Sequence, residues 1–136
     1  MWKPTKIRSI LLVCGLMSMT ACATQPVGGN PEGRMIQDGQ TFTMHAGERV
    51  TFADSSALRY LRVTNDSRCP PNVQCVWAGD AEVAFEWTSG SGAVTAFSLH
   101  TGKDPKQQVL GERRLTLTSL ARGEAPDAEL QIDRNP

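Results

Sequence analysis

Two histidines, His45 and His100, are the side chains of this 136-residue chain that can act as a base near neutral pH without a large pKa shift. Both lie within or at the end of strand-like segments, and no Gly-x-Ser-x-Gly or similar nucleophile motif accompanies them. An enzyme that used His45 or His100 would be expected to hold both side chains in one pocket with carboxylates. The sequence favours a protein without catalysis and keeps this enzyme as an alternative.

Three acidic residues, Asp66, Asp80 and Glu82, flank a short loop and carry the oxygen ligands that calcium prefers. The chain contains no Asp-x-Asp-x-Asp-Gly calcium loop and no zinc-type spacing of cysteine and histidine. We expect these carboxylates to bond loop backbone or to pair with Arg68. No metal and no other cofactor is predicted.

The N-terminus has the organisation of a bacterial export signal. A basic segment containing Lys3, Lys6 and Arg8 precedes an apolar run over residues 10–19, which is too short to span a bilayer as a helix. The run ends at Met-Thr-Ala-Cys22 and resembles the lipobox of lipoproteins, which implies that residues 1–21 are removed and that Cys22 carries lipid such as palmitate. An ordinary secretory signal, cut near residue 21 or 23, is the alternative.

A lipidated Cys22 would hold the protein on a membrane almost permanently, because each buried methylene contributes about 0.8 kcal/mol. Residues 22–39 are rich in Gly, Pro and polar side chains, and we predict a flexible tether there. The lipoprotein resemblance also implies that Ala23, a non-acidic residue after the cysteine, allows transfer to an outer membrane facing the periplasm if the cell has two membranes. The predicted location is the cell envelope.

Removal of the signal changes the charge and the cysteine count. The whole chain has fourteen basic and fourteen acidic residues, and loss of three basic ones leaves eleven against fourteen. A mildly acidic protein with scattered cations is not expected to bind nucleic acid. Of the four cysteines, Cys14 leaves with the signal and Cys22 takes lipid, so Cys69 and Cys75 are expected to form a structural disulfide in an oxidising compartment.

Residues 40–136 show short apolar–polar alternations separated by turn residues, with no sustained helical period. We predict one domain that folds as an antiparallel β-sandwich of about seven or eight strands, with a small β-barrel as the alternative. The clearest strand is Ala81–Thr88, joined by a turn at Ser89–Gly92 to a partner strand over 93–99. Ala46–Glu48 is predicted to form another hairpin turn, and a bulge is expected in Leu58–Val63.

The segment between residues 66 and 80 is expected to form a stiff loop closed by the disulfide, with two prolines inside it. Arg68 is predicted to pair with Asp66 or Asp80 across its base, and Gly79 to supply a backbone shape that other residues resist. Trp77 is expected to cover the disulfide as a packing anchor.

The sequence Asp66-Ser67-Arg68-Cys69-Pro70, followed after four residues by Cys75-Val76-Trp77-Ala78-Gly79, resembles the signature of an uncharacterised family of small bacterial secreted proteins and lipoproteins. The resemblance covers roughly residues 40–133, although only this central signature is specific. It implies an extracytoplasmic location, supports the β fold and implies no activity.

The functional prediction is a membrane-anchored, extracytoplasmic module that binds a ligand or an envelope protein without catalysis. One alternative is a protease inhibitor that presents the Cys69–Cys75 loop with Asn72–Gln74 at its tip, because a stiff closed loop loses little entropy on docking. The other alternative is the histidine enzyme described above.

Overall fold

The computed structural model describes residues 32–136, and these residues form nine strands. Their bounds are β1 Glu32–Met35, β2 Gln40–Met44, β3 Arg49–Thr51, β4 Ala57–Asp66, β5 Ala81–Thr88, β6 Val94–His100, β7 Gln107–Leu110, β8 Arg113–Leu120 and β9 Ala128–Arg134. One sheet has the order β1-β3-β4-β5-β6 and the other the order β2-β9-β8-β7. The predicted sandwich is confirmed, and the sheets do not close into the alternative barrel.

The core lies between the two sheets and takes side chains from both. Ala81, Val83, Phe85 and Trp87 are buried at every second position of β5, as the alternation predicted. The opposite sheet contributes the fully buried aliphatic side chains of β8 and β9, among them Leu115, Leu130 and Ile132. Period-two patterning therefore accounts for both inner faces.

The central hairpins follow the sequence prediction. β5 and β6 pair antiparallel from Glu82 opposite His100 to Thr88 opposite Val94. β4 carries the expected bulge, because its register against β5 shifts between Tyr60 and Arg62 and again beyond Val63.

The predicted hairpin at Ala46–Glu48 is wrong. The turn itself exists, with the Glu48 N–H donating to the His45 carbonyl oxygen at 2.9 Å, but β2 pairs with β9 while β3 pairs with β4 and β1. The chain thus crosses from one sheet to the other at this turn. β2 and β3 each bury alternate side chains. This alternation is the same whether two strands pair with each other or lie in opposite sheets, so the sequence did not distinguish the two arrangements.

The domain also begins earlier than predicted. The tether was expected to reach residue 39, yet β1 pairs in parallel with β3 and Ile36 is buried in the core. The buried Ile36 side chain and the short parallel pairing of β1 with β3 fix this segment in the domain, although its glycine and polar residues are typical of a linker. The predicted signal at 1–21, Cys22 and the tether up to residue 31 lie outside the described residues. Within residues 32–136, no helix is both long and apolar enough to cross a membrane.

Candidate binding loop

The cysteine loop, residues 67–80, connects β4 to β5 and continues their pairing beyond the sheet. The Ser67 N–H donates to the Asp80 carbonyl oxygen at 2.7 Å, and the Cys69 N–H donates to the Ala78 carbonyl oxygen at 3.1 Å. Gly79 has φ 73°, and a Cβ there would collide with the Ser67 carbonyl oxygen. The special backbone predicted for Gly79 is confirmed, since both the left-handed φ and this close approach exclude a side chain.

The predicted disulfide is present and closes the outer part of the loop. Cys69 and Cys75 are bonded, with their Cα atoms 5.9 Å apart. Inside the ring, Asn72 adopts φ 66° and the Val73 N–H faces the Pro70 carbonyl oxygen at 3.4 Å. The tip is therefore a tight turn held by a covalent bond and by proline.

Arg68 clamps the base of the loop to the opposite sheet. Its guanidinium donates to both carboxylate oxygens of Asp66, at 2.9 and 2.6 Å, which confirms that ion pair. It also donates to the carbonyl oxygens of Leu120 at 2.7 Å and Ala121 at 2.9 Å, where β8 ends. The hydrogen bond from Arg68 lowers the pKa of Asp66 below its usual range.

A second arginine strengthens this connection. Arg122, in the segment between β8 and β9, donates to the Cys69 carbonyl oxygen at 2.7 Å. Two guanidinium groups thus tie the start of the loop to the β8–β9 connection from both directions. The loop is consequently oriented by contacts with both sheets.

Trp77 is not a buried packing anchor, contrary to the prediction. Its side chain is 70% exposed, and its neighbours Val76 and Val73 are 95% and 55% exposed. Cys75 is itself exposed, so the disulfide lies outside the sandwich core and Trp77, two residues further on, stays at the surface. Val73, Val76 and Trp77 form what we call the apolar tip.

The two histidines are held by different carboxylates. His45 Nδ1 lies 2.6 Å from Asp127, and His100 Nδ1 lies 2.7 Å from Asp80. The hydrogen bond with Asp127 raises the pKa of His45, which is fully exposed. Within residues 32–136, neither imidazole hydrogen-bonds a hydroxyl or a thiol, and the two rings share no hydrogen-bond partner.

Asp80 bonds the end of β6 and the segment that follows it. Burial raises its pKa, but hydrogen bonds from the Gly102 N–H and from His100 outweigh that effect, so the pKa is lowered. Asp80 is therefore not the partner of Arg68, which was the second predicted possibility. In the described part of the chain, no group of three or more His, Cys, Asp or Glu side chains is placed to hold a metal ion.

The far end of the sandwich carries a second cluster, which sequence reasoning missed. Arg113 is buried and donates to Asp38 and to Asp54, and its guanidinium lies 5.2 Å from the centre of the Phe52 ring. Arg134 donates to the same Asp38 at 3.0 Å. One signal existed, because the alternation of β8 places Arg113 on the same face as its buried leucines.

This cluster closes the end of the core. Its side chains line an open cleft of about 280 Å³. Burial raises the pKa of Asp54, but hydrogen bonds from Ser56 and Arg113 bring it down to about 2. Because each buried or half-buried charge here already has a partner, the cluster fastens β8 to the segments after β1 and β3.

Comparison of the chain with protein-family models, with curated proteins and with solved structures gave no match.

Proposed function

We propose that this protein is a lipid-anchored, extracytoplasmic module of the cell envelope that acts by contact and not by catalysis, with the cysteine loop as its contact surface. The observation that carries the proposal is the apolar tip: three exposed apolar side chains on a loop that is otherwise fixed by a disulfide and two arginines. Exposed apolar groups on a rigid support are typical of surfaces that become covered by a partner.

Rigidity supports a role in contact. Binding orders flexible side chains and loops at a cost of about 0.5–1.5 kcal/mol for each immobilised side chain, and a pre-ordered loop avoids much of that cost. Tryptophan is also the residue most enriched at the energetic centres of interfaces. Trp77 combines both features, because it lies between the disulfide-bonded Cys75 and the hydrogen-bonded Ala78 while its indole is exposed.

The histidine geometry gives less support to an enzyme. Each imidazole faces a carboxylate that could orient it, but a general base also needs a group from which to take a proton. In the described residues, His45 and His100 are hydrogen-bonded to different carboxylates. Asp127 and Asp80 are best explained as partners that fix neighbouring loops.

The anchor is tested by Cys22→Ser in the full chain. Loss of the lipid should move the protein from the membrane fraction to the soluble fraction, and continued membrane residence would contradict the anchor. Cys75→Ser is the matched control, because it replaces a cysteine of the domain, at the cost of the Cys69–Cys75 disulfide, and leaves the lipidation site intact.

The contact surface is tested by crosslinking in the intact envelope. A photoreactive residue at Val76, which is 95% exposed, should give adducts, whereas one at the exposed Val94 of β6 should not. Equal yields at both positions would show that the loop is an ordinary part of the surface. Turnover of a substrate by the purified protein would overturn the non-catalytic part of the proposal.

A protease inhibitor is the second candidate, because the same loop is exposed and closed by a disulfide. The shape of the loop gives this candidate less support. A segment that binds its partner as an added β-strand must have an extended backbone, whereas the backbone of Asn72 is in the left-handed region and the Val73 N–H turns back towards the Pro70 carbonyl oxygen. Assay against serine and cysteine proteases decides this candidate. Inhibition that disappears when residues 72–74 are replaced would establish it, and absence of inhibition would remove it.

A further inference from the structure

We infer that the apolar tip inserts into the surface of the same bilayer that holds the lipid on Cys22. This inference rests on the proposed anchor and identifies what the cysteine loop contacts. It is carried by the direction in which the chain enters the domain, by the length of chain before that point, and by the composition of the tip.

β1 begins level with Arg59 of β4 and runs away from the end of the sandwich that carries the cysteine loop, so the chain before Glu32 approaches from the loop side. β1 runs parallel to β3, with Glu32 opposite Arg49 and Met35 opposite Thr51. The turn before β3 lies at the loop end, since His45 in that turn bonds Asp127 in the β8–β9 connection. Because β1 runs in the same direction as β3, the N-terminal end of β1 is also the end nearer the cysteine loop.

The available length matches the position of the tip. Arg49 lies opposite Arg59, and Arg59 and Asp66 lie opposite Glu86 and Ala81, which are five residues apart on the regular strand β5. At about 3.3 Å per residue, the base lies about 17 Å beyond Glu32 towards that end. The ten residues from Cys22 to Glu32 span at most about 35 Å, and a flexible chain of that length averages about 17 Å. A membrane that holds Cys22 is therefore within reach of the tip.

The tip has the composition of a bilayer-surface contact. No charged residue occurs from Cys69 to Gly79. Tryptophan concentrates at the boundary between headgroups and acyl chains, where its ring is buried and its N–H stays near polar groups. The charges at the base of the loop already have partners, since Asp66 pairs with Arg68 and Arg122 donates to the Cys69 carbonyl oxygen.

Electrostatic attraction to anionic lipid is not the driving force. The loops at this end carry more carboxylates than cations: Glu48, Asp66, Asp80, Asp104, Glu124 and Asp127 against Arg68, Lys103, Lys106 and Arg122. Apolar insertion does not depend on counterions, whereas binding by basic patches weakens as salt rises. Insertion is therefore expected in zwitterionic vesicles and at high salt.

Tryptophan fluorescence tests the inference with the lipidated chain, cleaved before Cys22 and reconstituted in phosphatidylcholine vesicles that carry brominated acyl chains. Trp2 leaves with the signal and Trp87 is 6% exposed in the core, so lipid quenching should come from the exposed Trp77. We expect quenching in the natural chain, its loss in Trp77→Phe, and the same result at high salt.

A matched control moves the indole to the far end. Val94 is 61% exposed and pairs with Thr88 at the opposite end of β5 from the loop. In the Trp77→Phe background, Val94→Trp should restore an exposed indole that brominated lipid does not quench. Quenching at this position equal to that of Trp77 would show non-specific contact and overturn the inference.

Vesicle flotation separates this inference from the proposed function. If the chain floats with the vesicles and Trp77 is not quenched, the anchor stands and tip insertion is wrong. If the chain does not float, the anchor is wrong and the inference falls with it. In the intact envelope, a photoreactive group at Val76 should label lipid, and labelling of a protein instead would overturn insertion in favour of a protein partner.

Discussion

Replacing Arg68 by methionine is the most informative perturbation of the cysteine loop. Methionine keeps an unbranched apolar stem but removes every donor that ties the loop to the opposite sheet. Loss of the guanidinium leaves the carbonyl oxygens of Leu120 and Ala121 without their donor. Asp66 keeps only the hydrogen bond from the backbone N–H of residue 68. The side chain is 12% exposed, so water replaces these bonds only in part.

The expected loss of stability follows from the contacts. Each of the two charge-assisted bonds to carbonyl oxygens contributes about 1 kcal/mol after allowance for their exposure to water. The pair with Asp66, which is 34% exposed, contributes a further 0.5–1 kcal/mol or so. Arg68→Met should therefore lower the free energy of unfolding by about 3 kcal/mol, or the melting temperature by about 12 °C for a domain of this size.

Urea unfolding measures this loss, with Asp66→Asn as the matched control. Asp66→Asn removes the ion pair and leaves both carbonyl bonds, so it should cost about 1 kcal/mol. Arg68→Lys should fall between the two, because lysine keeps the charge and loses the forked geometry. The reasoning is refuted if Arg68→Met costs no more than Asp66→Asn, since the bonds to the opposite sheet would then contribute nothing.

Three further predictions concern single contacts. Tyr60→Phe removes a 2.7 Å hydrogen bond from a buried hydroxyl to a carbonyl oxygen of the β8–β9 connection. It should lower the free energy of unfolding in urea by about 1–2 kcal/mol, and an unchanged midpoint would contradict this. Gly79→Ala should cost at least about 2 kcal/mol, because alanine is strained at positive φ and its Cβ meets loop backbone; full stability would show that the loop relaxes. By NMR, the pKa of His45 should lie above 6.5 and should fall in Asp127→Asn. The small stabilisation of the folded state by this pair should be complete below pH 6.5 and disappear as the pH rises through the raised pKa. A His45 pKa that Asp127→Asn leaves unchanged would contradict this prediction.

The strands were predictable where one residue in two faces the core. β5 begins and ends where its alternation indicated, and its partner β6 lies within one residue of the predicted range. β1 was not predictable, because Glu32–Met35 contains a glycine and two charged residues and becomes a strand only through pairing with β3. Sequence periodicity reports a buried face, and β1 lies at the edge with little to bury.

The contacts of the loop divide in the same way. The pair between Arg68 and Asp66 was predictable because the residues are two positions apart. The bonds from Arg68 to Leu120 and Ala121 join segments more than fifty residues apart, and no local pattern encodes them. The same limitation applies to Arg113 with Asp38 and Asp54.

The sequence by itself determined the all-β class, the strands of the central hairpins, the disulfide and the need for glycine at position 79. These features depend on local alternation, on cysteine count and on backbone sterics. Only the tertiary structure decided that Trp77 is exposed and that Arg68 connects the two sheets. Burial depends on which surfaces remain uncovered after the sheets have packed, and the core closes without the cysteine loop.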